Sequence, residues 1–358
     1  MQIKSSLIYL HLHNASEFTY FILNSMKAYT INRYSKTDSL QLTDVPQPKI
    51  SDQEVLIQIH STSLNQLDAK IKSGEFKLFM PYKFPLILGH DLAGTITHVG
   101  SNVSRFKVGD EVYARPADYR IGTFAEYIAV HENDLALKPT NCSMDEAASL
   151  PLVALTVWQA LVEKANLQKG QKVFIQAGSG GVGTIAIQLA KHLGASVATT
   201  VSAANVEMVK SLGADVVIDY KTEDFETILK DYDLVLNSQD AKTLEKSLRI
   251  LKPGGKVISI SGPPDKAFAN ELGLSWFLRT VISLLSRKVR KQAKQLGVDY
   301  SFLFMKANGQ QLTEIAKLVE AGVIQPVVGK VYPFEQLNDA LTYVASGRAK
   351  GKVIVKVG

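Results

Sequence analysis

The chain has 358 residues, of which 46% are hydrophobic and 21% are charged. This length allows two domains with full cores, and the composition is typical of a soluble enzyme rather than a disordered or fibrous protein. The formal net charge is +6, from 40 basic and 34 acidic residues. Because the basic residues are mostly dispersed, we favour a small phosphate-bearing ligand over a nucleic acid as the anionic partner.

The cysteine content limits both the location and the chemistry. Cys142 is the single cysteine, so no disulfide can form within the chain and a thiolate metal cluster is excluded. We therefore expect a reducing, cytoplasmic location. The thiol lies in a loop that leads into a predicted helix, and we expect it to be structural and unreactive.

The first 25 residues differ from the rest of the chain in their pattern of apolar and polar residues. Two apolar runs, 7–10 and 18–23, are separated by Asn14, Ser16 and Glu17. Neither approaches the ~20 apolar residues that a membrane span needs, so we expect no membrane insertion. The segment has only one early lysine and lacks a small-residue cleavage motif, so it fits a signal peptide poorly. We predict an N-terminal extension over 1–25 and a folded enzyme that begins near Met26.

Residues 26–149 read as short strands separated by turns rich in glycine and proline. This pattern predicts a compact β-barrel domain. The clearest predicted strands are 54–60, 91–100, 109–113 and 125–130.

From residue 150 the pattern changes to alternating strands and helices, which predicts a parallel, doubly wound sheet over 150–308. We predict strands at 172–177, 196–201, 215–219, 233–237 and 256–261, with a sixth at 301–305. Predicted helices lie at 181–194, 203–212, 222–231 and 241–251. The tail, 309–358, holds helices at 310–321 and 334–346, a short element at 324–328 and a strand at 351–356 that the first domain could accept.

Residues 272–296 interrupt the alternation of strands and helices. Apolar residues at helical spacing are followed by the basic run 287–291 and by Lys294. Such a helix can bind a membrane surface or an acidic partner. We favour a helix that packs on its own domain and ends in a solvated basic turn.

The run 173–184 carries the strongest chemical signal. A buried strand leads into Gly178, Gly180 and Gly183, which have the G-x-G-x-x-G spacing, and a helix follows. The three glycines permit, in turn, a tight turn, close approach of the backbone to a pyrophosphate, and packing of the helix on the strand. The helix N-terminus then offers N–H donors to an anion. We predict a dinucleotide site.

The end of the next strand favours NADP over NAD. An NAD site usually carries an acid about 20 residues after the first glycine, but 197–205 contains no Asp or Glu. Ser202, Asn205 and Tyr220 can donate hydrogen bonds to a 2′-phosphate, whereas a carboxylate would repel it. Helix capping is the alternative role for Ser202 and Asn205.

Taken together, several phrases resemble the medium-chain dehydrogenase/reductase superfamily, and within it the zinc-independent quinone oxidoreductase and enone reductase type. The resemblance covers residues 26–358. It rests on the phrases at 65–70, 89–110, 150–158, 177–183, 212–220 and 347–352.

The resemblance implies a GroES-like catalytic barrel, built from the first segment and the tail, with a Rossmann domain between them. NADPH would lie in the cleft, with its phosphates on Gly180, Gly181 and Val182. Ser202, Tyr220 and Lys352 would bind the adenosine phosphate end, and Thr156 and the loop at Ser261 would flank the nicotinamide. The resemblance also suggests a homodimer.

The metal ligands of zinc-dependent relatives are largely missing. The early cysteine is replaced by Asn65, and the Gly-His-Glu phrase reads Gly89-His90-Asp91. A catalytic zinc needs about three protein ligands, and His90 and Asp91 offer two. We expect no metal, with His90 as a hydrogen-bonded residue of the cleft.

Without a metal the substrate must already be electrophilic, so we expect a quinone or an α,β-unsaturated carbonyl. Lys70 is the leading candidate to stabilise the carbonyl oxygen, with Asp91 orienting Lys70 and Asn65 bonding the cofactor or acceptor. The alternatives are that Lys70 is simply solvated and that Asn65 only starts a helix.

Two other functions remain as alternatives. One is a zinc-dependent alcohol dehydrogenase that uses His90 and Asp91, and the other is an NADPH-binding regulatory module with little turnover.

Overall fold

The computed structural model describes residues 25–358. The predicted extension over 1–25 lies outside the described residues, apart from Ser25. None of the described helices is both long enough and apolar enough to span a bilayer.

The strands of the first part of the chain pair antiparallel in two sheets. A seven-stranded sheet starts with two strands of the tail, β15 (Val328–Pro333) and β16 (Lys352–Lys356), and continues in the order β3-β5-β6-β8, with β7 also paired to β3. A small sheet has the order β2-β1-β4. Alternate side chains of β3 and β5 point inward, and Ile57, Ile59 and Leu92 are almost fully buried. The elements are β1 (Ser25–Ile31), β2 (Gln41–Pro46), β3 (Glu54–Leu64), α1 (Gln66–Ser73), β4 (Leu86–Ile87), β5 (Asp91–Val99), β6 (Glu111–Ala114), β7 (Tyr127–His131) and β8 (Leu135–Leu137).

The middle of the chain forms a six-stranded, wholly parallel sheet with the order β11-β10-β9-β12-β13-β14. The strands are β9 (Lys172–Ile175), β10 (Ser196–Val201), β11 (Val216–Asp219), β12 (Tyr232–Asn237), β13 (Leu251–Ser259) and β14 (Asp299–Phe302). Both faces are covered, because Val173 and Ile175 join one core and Phe174 joins the other.

Helices pack on both faces of this parallel sheet. The helices of this part of the chain are α2 (Met144–Ala148), α3 (Pro151–Trp158), α4 (Gly181–His192), α5 (Val206–Ser211), α6 (Phe225–Ile228), α7 (Ala241–Arg249), α8 (Lys266–Glu271), α9 (Trp276–Leu285) and α10 (Arg287–Gln295). Of these, α2 contacts β3 and β5 of the first sheet. A π-helical turn, Gln159–Lys164, continues α3.

The tail returns to the first sheet. It contains α11 (Gly309–Glu320), β15 (Val328–Pro333), α12 (Leu337–Ala345) and β16 (Lys352–Lys356). β16 pairs antiparallel with β3, with Val353 opposite Leu64. Just before β16, Gly351 forms a parallel bridge to Gly180 of the glycine loop. The return of the chain therefore brings the two sheets together at one cleft.

The predicted α/β class is confirmed, with a parallel sheet in the middle of the chain and antiparallel pairing in its first part. Several local boundaries differ from the predictions: the helix predicted at 222–231 covers Phe225–Ile228, and the strand predicted at 301–305 covers Asp299–Phe302. The segment 272–296 is broken at Ser286 into α9 and α10, because the buried Ser286 ends one helix and begins the next. The short element expected at 324–328 is a strand that runs over Val328–Pro333, parallel to β16, with Val328 opposite Lys352.

Candidate active site

A cleft of about 590 Å³ lies where the two sheets meet. Each part of the chain contributes to its wall: the start of α1 from the first segment, the glycine loop from the middle, and Gly351 and Lys352 from the tail. The structure thus brings together residues from three distant parts of the sequence. Of the predicted cofactor residues, Gly180, Gly181, Val182, Gly183, Thr156, Ser261 and Lys352 line the cleft.

The glycine loop has the geometry of a phosphate-binding turn. A Cβ atom at Gly183 would lie 2.3 Å from the carbonyl oxygen of Ala177, so α4 packs on the strand only with glycine there. At Gly180 the nearest atom to a Cβ would be 3.4 Å away, so this glycine is not needed for packing. Gly180 precedes α4, and no side chain caps that helix. The bare helix N-terminus at the cleft suits an anionic pyrophosphate.

The predicted 2′-phosphate residues lie together at the carboxyl ends of β10 and β11. The amide of Asn205 donates to the hydroxyl of Ser202 at 3.3 Å and to that of Ser179 at 3.2 Å. Tyr220 is 60% exposed, and its backbone N–H donates to the carbonyl of Val201. Neither Ser202 nor Asn205 uses its side chain to cap a helix, so the capping alternative does not account for them.

A buried network centred on Asp91 forms the floor of the cleft. Its Oδ2 accepts hydrogen bonds from Ser63 at 2.7 Å, Asn65 at 2.9 Å and Lys352 at 3.1 Å. Its Oδ1 accepts the backbone N–H of Leu152 at 2.7 Å. The carboxylate is fully buried, and four donors, one of them the paired cation Lys352, compensate for that burial.

Lys352 does not occupy the position that the resemblance implied. We expected it at the adenosine phosphate end, but its side chain is 6% exposed and lies at the floor of the cleft. Its Nζ donates to Asn65 Oδ1 at 2.5 Å and to the carbonyl of Leu64 at 3.2 Å, besides Asp91. The physical reason is the pairing of β16 with β3, which directs this lysine toward Asn65 and Asp91.

The expected contact between Asp91 and Lys70 is also absent from the structure. Asp91 is paired with Lys352, whereas Lys70 is 40% exposed and its Nζ lies 3.9 Å from Glu75. Lys70 does line the cleft, as does Asn65. Lys70 is on α1, which begins after Asn65 and ends at Gly74 with φ of 82°. Lys70 therefore keeps N–H donors that the buried network does not use.

His90 is held by a partner that sequence reasoning missed. Its Nδ1 lies 2.6 Å from Asp68 Oδ1, and Asp68 Oδ2 accepts the backbone N–H of Asn65. His90 Nε2 is buried and without a hydrogen-bond partner in the described part of the chain. Within residues 25–358, no three His, Cys, Asp or Glu side chains are grouped so that they could hold a metal ion. Asp68 sits three residues after Asn65, at the spacing of a capping box, and this was the available signal.

Aromatic side chains form the remaining wall of the cleft. Phe268 packs edge-to-face on Phe79 and Phe302, with ring centroids 5.8 and 5.1 Å apart, and near Phe304. Phe76 packs on Phe79 and Phe304. This wall suits an apolar or conjugated molecule that leaves its polar end toward the floor.

Two predicted residues have partners that fix their side chains. The hydroxyl of Thr156 donates to the carbonyl of Leu152 at 2.7 Å, and that of Ser261 donates to the carbonyl of Gln239 at 2.6 Å. Their hydroxyl hydrogens are therefore engaged, and their oxygens remain as acceptors. Burial raises the pKa of the Cys142 thiol to about 11, as expected for an unreactive cysteine.

Comparison with known proteins agrees with this arrangement. The alcohol dehydrogenase GroES-like domain model matches residues 51–140, and the zinc-binding dehydrogenase model matches residues 212–355. The mitochondrial NAD(P)H oxidoreductase RTN4IP1 of Danio rerio is 36% identical over 355 residues, which cover 93% of this chain and 91% of the relative. The chain belongs to the medium-chain dehydrogenase/reductase superfamily.

Other members of the superfamily show the same extent of similarity. The chloroplastic NADPH-dependent alkenal/one oxidoreductase of Arabidopsis thaliana is 34% identical, over 93% of this chain and 80% of the relative. The structure of the quinone oxidoreductase from Coxiella burnetii superposes with a TM-score of 0.80 at 28% identity, over 93% of this chain and all of that chain. The similarity therefore extends through both sheets.

The expected cytoplasmic location is wrong by this comparison. The names of these curated relatives place them in mitochondria and in chloroplasts. A single cysteine excludes an internal disulfide, but it does not distinguish one reducing compartment from another. Composition therefore gave too little information to assign a compartment.

Proposed function

We propose that this protein is an NADPH-dependent oxidoreductase that reduces a quinone or an α,β-unsaturated carbonyl compound without a metal ion. One observation carries the proposal. The cleft joins a bare glycine loop to a floor on which a lysine ammonium, Lys352, pairs with the carboxylate of Asp91. The curated relatives include an alkenal/one oxidoreductase, and a quinone oxidoreductase has the same fold.

The residues of the cleft fit NADPH. The helix N-terminus after Gly180 would hold the pyrophosphate, and the hydroxyls of Ser202 and Tyr220 would donate to the 2′-phosphate. Asn205, whose amide donates to Ser179 and Ser202, would position Ser202. Thr156 and Ser261 would lie beside the nicotinamide, where their oxygens can accept from the carboxamide. When bound, NADPH supplies a hydride for the reduction.

Lys70 is proposed to stabilise the negative charge that develops on the carbonyl oxygen of the acceptor. It lines the cleft, and its partner in the structure is the half-exposed Glu75 at 3.9 Å. An ammonium with unused N–H donors can bond an oxyanion or pass it a proton. The aromatic wall that includes Phe76 would orient a conjugated acceptor above it.

Lys352 and Asp91 are proposed to act as positioning residues. Three acceptors surround Nζ of Lys352, which matches the three donors of an ammonium group. The network fixes the amide of Asn65 with its oxygen toward Lys352 and one N–H toward Asp91. The second N–H of Asn65 is then available for the cofactor or the acceptor.

The same network argues for zinc-independent catalysis. A zinc ion bound to Asp91 would have to displace the ammonium of Lys352, which lies 3.1 Å from Oδ2. Like charges at that distance repel strongly in a buried site. Two observations favour a zinc alcohol dehydrogenase: His90 Nε2 is buried without a partner among residues 25–358, and a zinc-binding dehydrogenase model matches residues 212–355. The two functions can be separated directly.

The test measures NADPH oxidation with a panel of quinones and enones, and NADP⁺ reduction with alcohols, before and after treatment with a chelator. We expect turnover of quinones or enones that survives chelation, and no alcohol oxidation. Chelator-sensitive alcohol oxidation would establish the zinc enzyme instead. Tight NADPH binding with no acceptor reduced would favour a regulatory module.

We propose a homodimer as the assembly. Within the described chain β14 pairs on one side, with β13, and its other edge is open to a strand from a second copy. Sedimentation velocity tests this proposal, and a single monomeric species at micromolar concentration would contradict it.

A further inference from the structure

The helix α9 presents its apolar side chains to solvent. Trp276 is 78% exposed, Phe277 60%, Leu284 59% and Leu285 60%. The one residue that α9 buries fully is Ile282. A helix that packs on its own domain normally buries its apolar side chains. In α9 these side chains face solvent, which is the opposite of what we expected. Large exposed apolar patches of this kind mark interaction sites.

The segment around this face carries positive charge alone. Residues 272–298 contain six lysines and arginines and no aspartate or glutamate. Within that segment Lys288 is paired, with Glu245 on α7, and Arg290 donates to Ser283. Arg287, Lys291 and Lys294 form no ion pair within residues 25–358. Three exposed cations therefore follow the apolar face directly.

We propose that α9 and α10 form a docking surface for an anionic phospholipid bilayer. Aromatic and leucine side chains beside lysines and arginines are the composition of helices that lie in the membrane interface. The apolar face would enter the acyl boundary, and the cations would meet lipid phosphates. The complete absence of acidic residues over 272–298 favours this occupant over a second copy of the apolar face, since two such basic segments would repel each other.

The position of this surface connects it with the cleft. α9 packs against α8, and α8 carries Phe268, which lines the aromatic wall of the cleft. The proposed docking surface is therefore separated from that wall by one helix. The docking itself is independent of the proposed reaction, and a binding assay tests it without turnover.

The experiment is co-sedimentation of the full chain with phosphatidylcholine vesicles that contain or lack phosphatidylglycerol, at low and high salt. We expect binding to the anionic vesicles, weakened by salt, and little binding to phosphatidylcholine alone. Removing the charges with K291Q and K294Q should weaken binding by about fivefold for each lysine, or about 25-fold for the pair. The matched control changes the exposed Lys36 and Lys49 to glutamine, and we expect no effect.

The apolar contribution has its own variants. W276S with F277S should weaken binding at least about tenfold, because two large side chains no longer enter the interface. V108S with L137S changes two similarly exposed apolar residues elsewhere and should bind as the wild type does. Vesicles should also shift the tryptophan emission of the wild type to the blue. W276F should abolish that shift while the protein still sediments.

Three outcomes would overturn the proposal. The first is no binding to anionic vesicles at low salt. The second is binding that the charge and apolar variants leave unchanged. The third is self-association in sedimentation velocity that W276S with F277S abolishes, because a second copy would then cover this face.

Discussion

The two walls of the cleft are built on opposite principles. The floor from the GroES-like domain is crowded with charge, since Asp91, Lys352, Asn65 and Ser63 satisfy one another in a buried network. In the wall from the parallel sheet, the glycines have no side chains, so the backbone of the loop is open to the cleft. A substitution on the floor therefore changes what stabilises the fold, whereas one on the glycine wall can change what the cleft binds.

Lys70 differs from the other charged residues on this side of the cleft. It belongs to the charged side of the cleft, yet it is 40% exposed and takes no part in the buried network. The structure thus separates the charges that hold the site together from the charge that can meet a substrate.

The largest effect is expected from D91A. It leaves the ammonium of Lys352 buried without a carboxylate and three other donors without this acceptor. We expect a loss of about 3–5 kcal/mol in the free energy of unfolding, measured by urea denaturation. D38A, which removes an exposed ion pair with Arg33, should show no comparable loss. A stable D91A protein would mean that the network does not hold the two ends of the chain together.

K70M should act on turnover and leave the fold unchanged. We expect kcat to fall about a hundredfold, or about 2.7 kcal/mol, because the oxyanion loses a charged donor. The dissociation constant of NADPH, measured by fluorescence titration, should not move. E75Q is the control, since it alters the 3.9 Å partner and keeps the lysine. Full turnover by K70M on every accepted enone would remove Lys70 from the mechanism.

G180A tests the opposite wall. The added Cβ would have its nearest neighbour 3.4 Å away, so we expect unchanged unfolding. The methyl group would keep the pyrophosphate from the backbone donors, and NADPH should bind about 30-fold more weakly, or about 2 kcal/mol. In G183A the Cβ would lie 2.3 Å from the carbonyl oxygen of Ala177, and this variant should lose stability instead. Equal loss of stability in both variants would contradict the division of roles within the loop.

S202D addresses the choice of nucleotide and should have the smallest effect. A carboxylate beside Asn205 would repel a 2′-phosphate, so the preference for NADPH over NADH should fall about tenfold, or about 1.4 kcal/mol. S202A separates repulsion from the loss of a donor. Dissociation constants for both nucleotides give the ratio, and an unchanged ratio in S202D would place the 2′-phosphate elsewhere.

Sequence reasoning predicted the parts of the site whose signals are local. The strand, the glycines and the helix at 173–184 follow one another in the chain, and so does the turn from Asn65 into α1. The role of Lys352 could not be predicted in this way. It meets Asp91 across 261 residues of sequence, and the register of β16 against β3 decides that contact.

The segment 272–296 illustrates a different limit. Apolar residues at helical spacing predicted an amphipathic helix, and helices are there. Periodicity identifies which side chains share a face, but it does not say whether that face meets protein or water. At α9 the apolar face meets water.

The pairing of β3 with β16 has a consequence for biosynthesis. The ribosome makes β3 long before β16, so the part of β3 over Ser61–Leu64 has no partner on one edge until β16 has been made. The parallel sheet between them can form first, as a separate folding unit. Truncated translation products that lack the final strand would then carry a nucleotide-binding unit attached to an unclosed, aggregation-prone barrel.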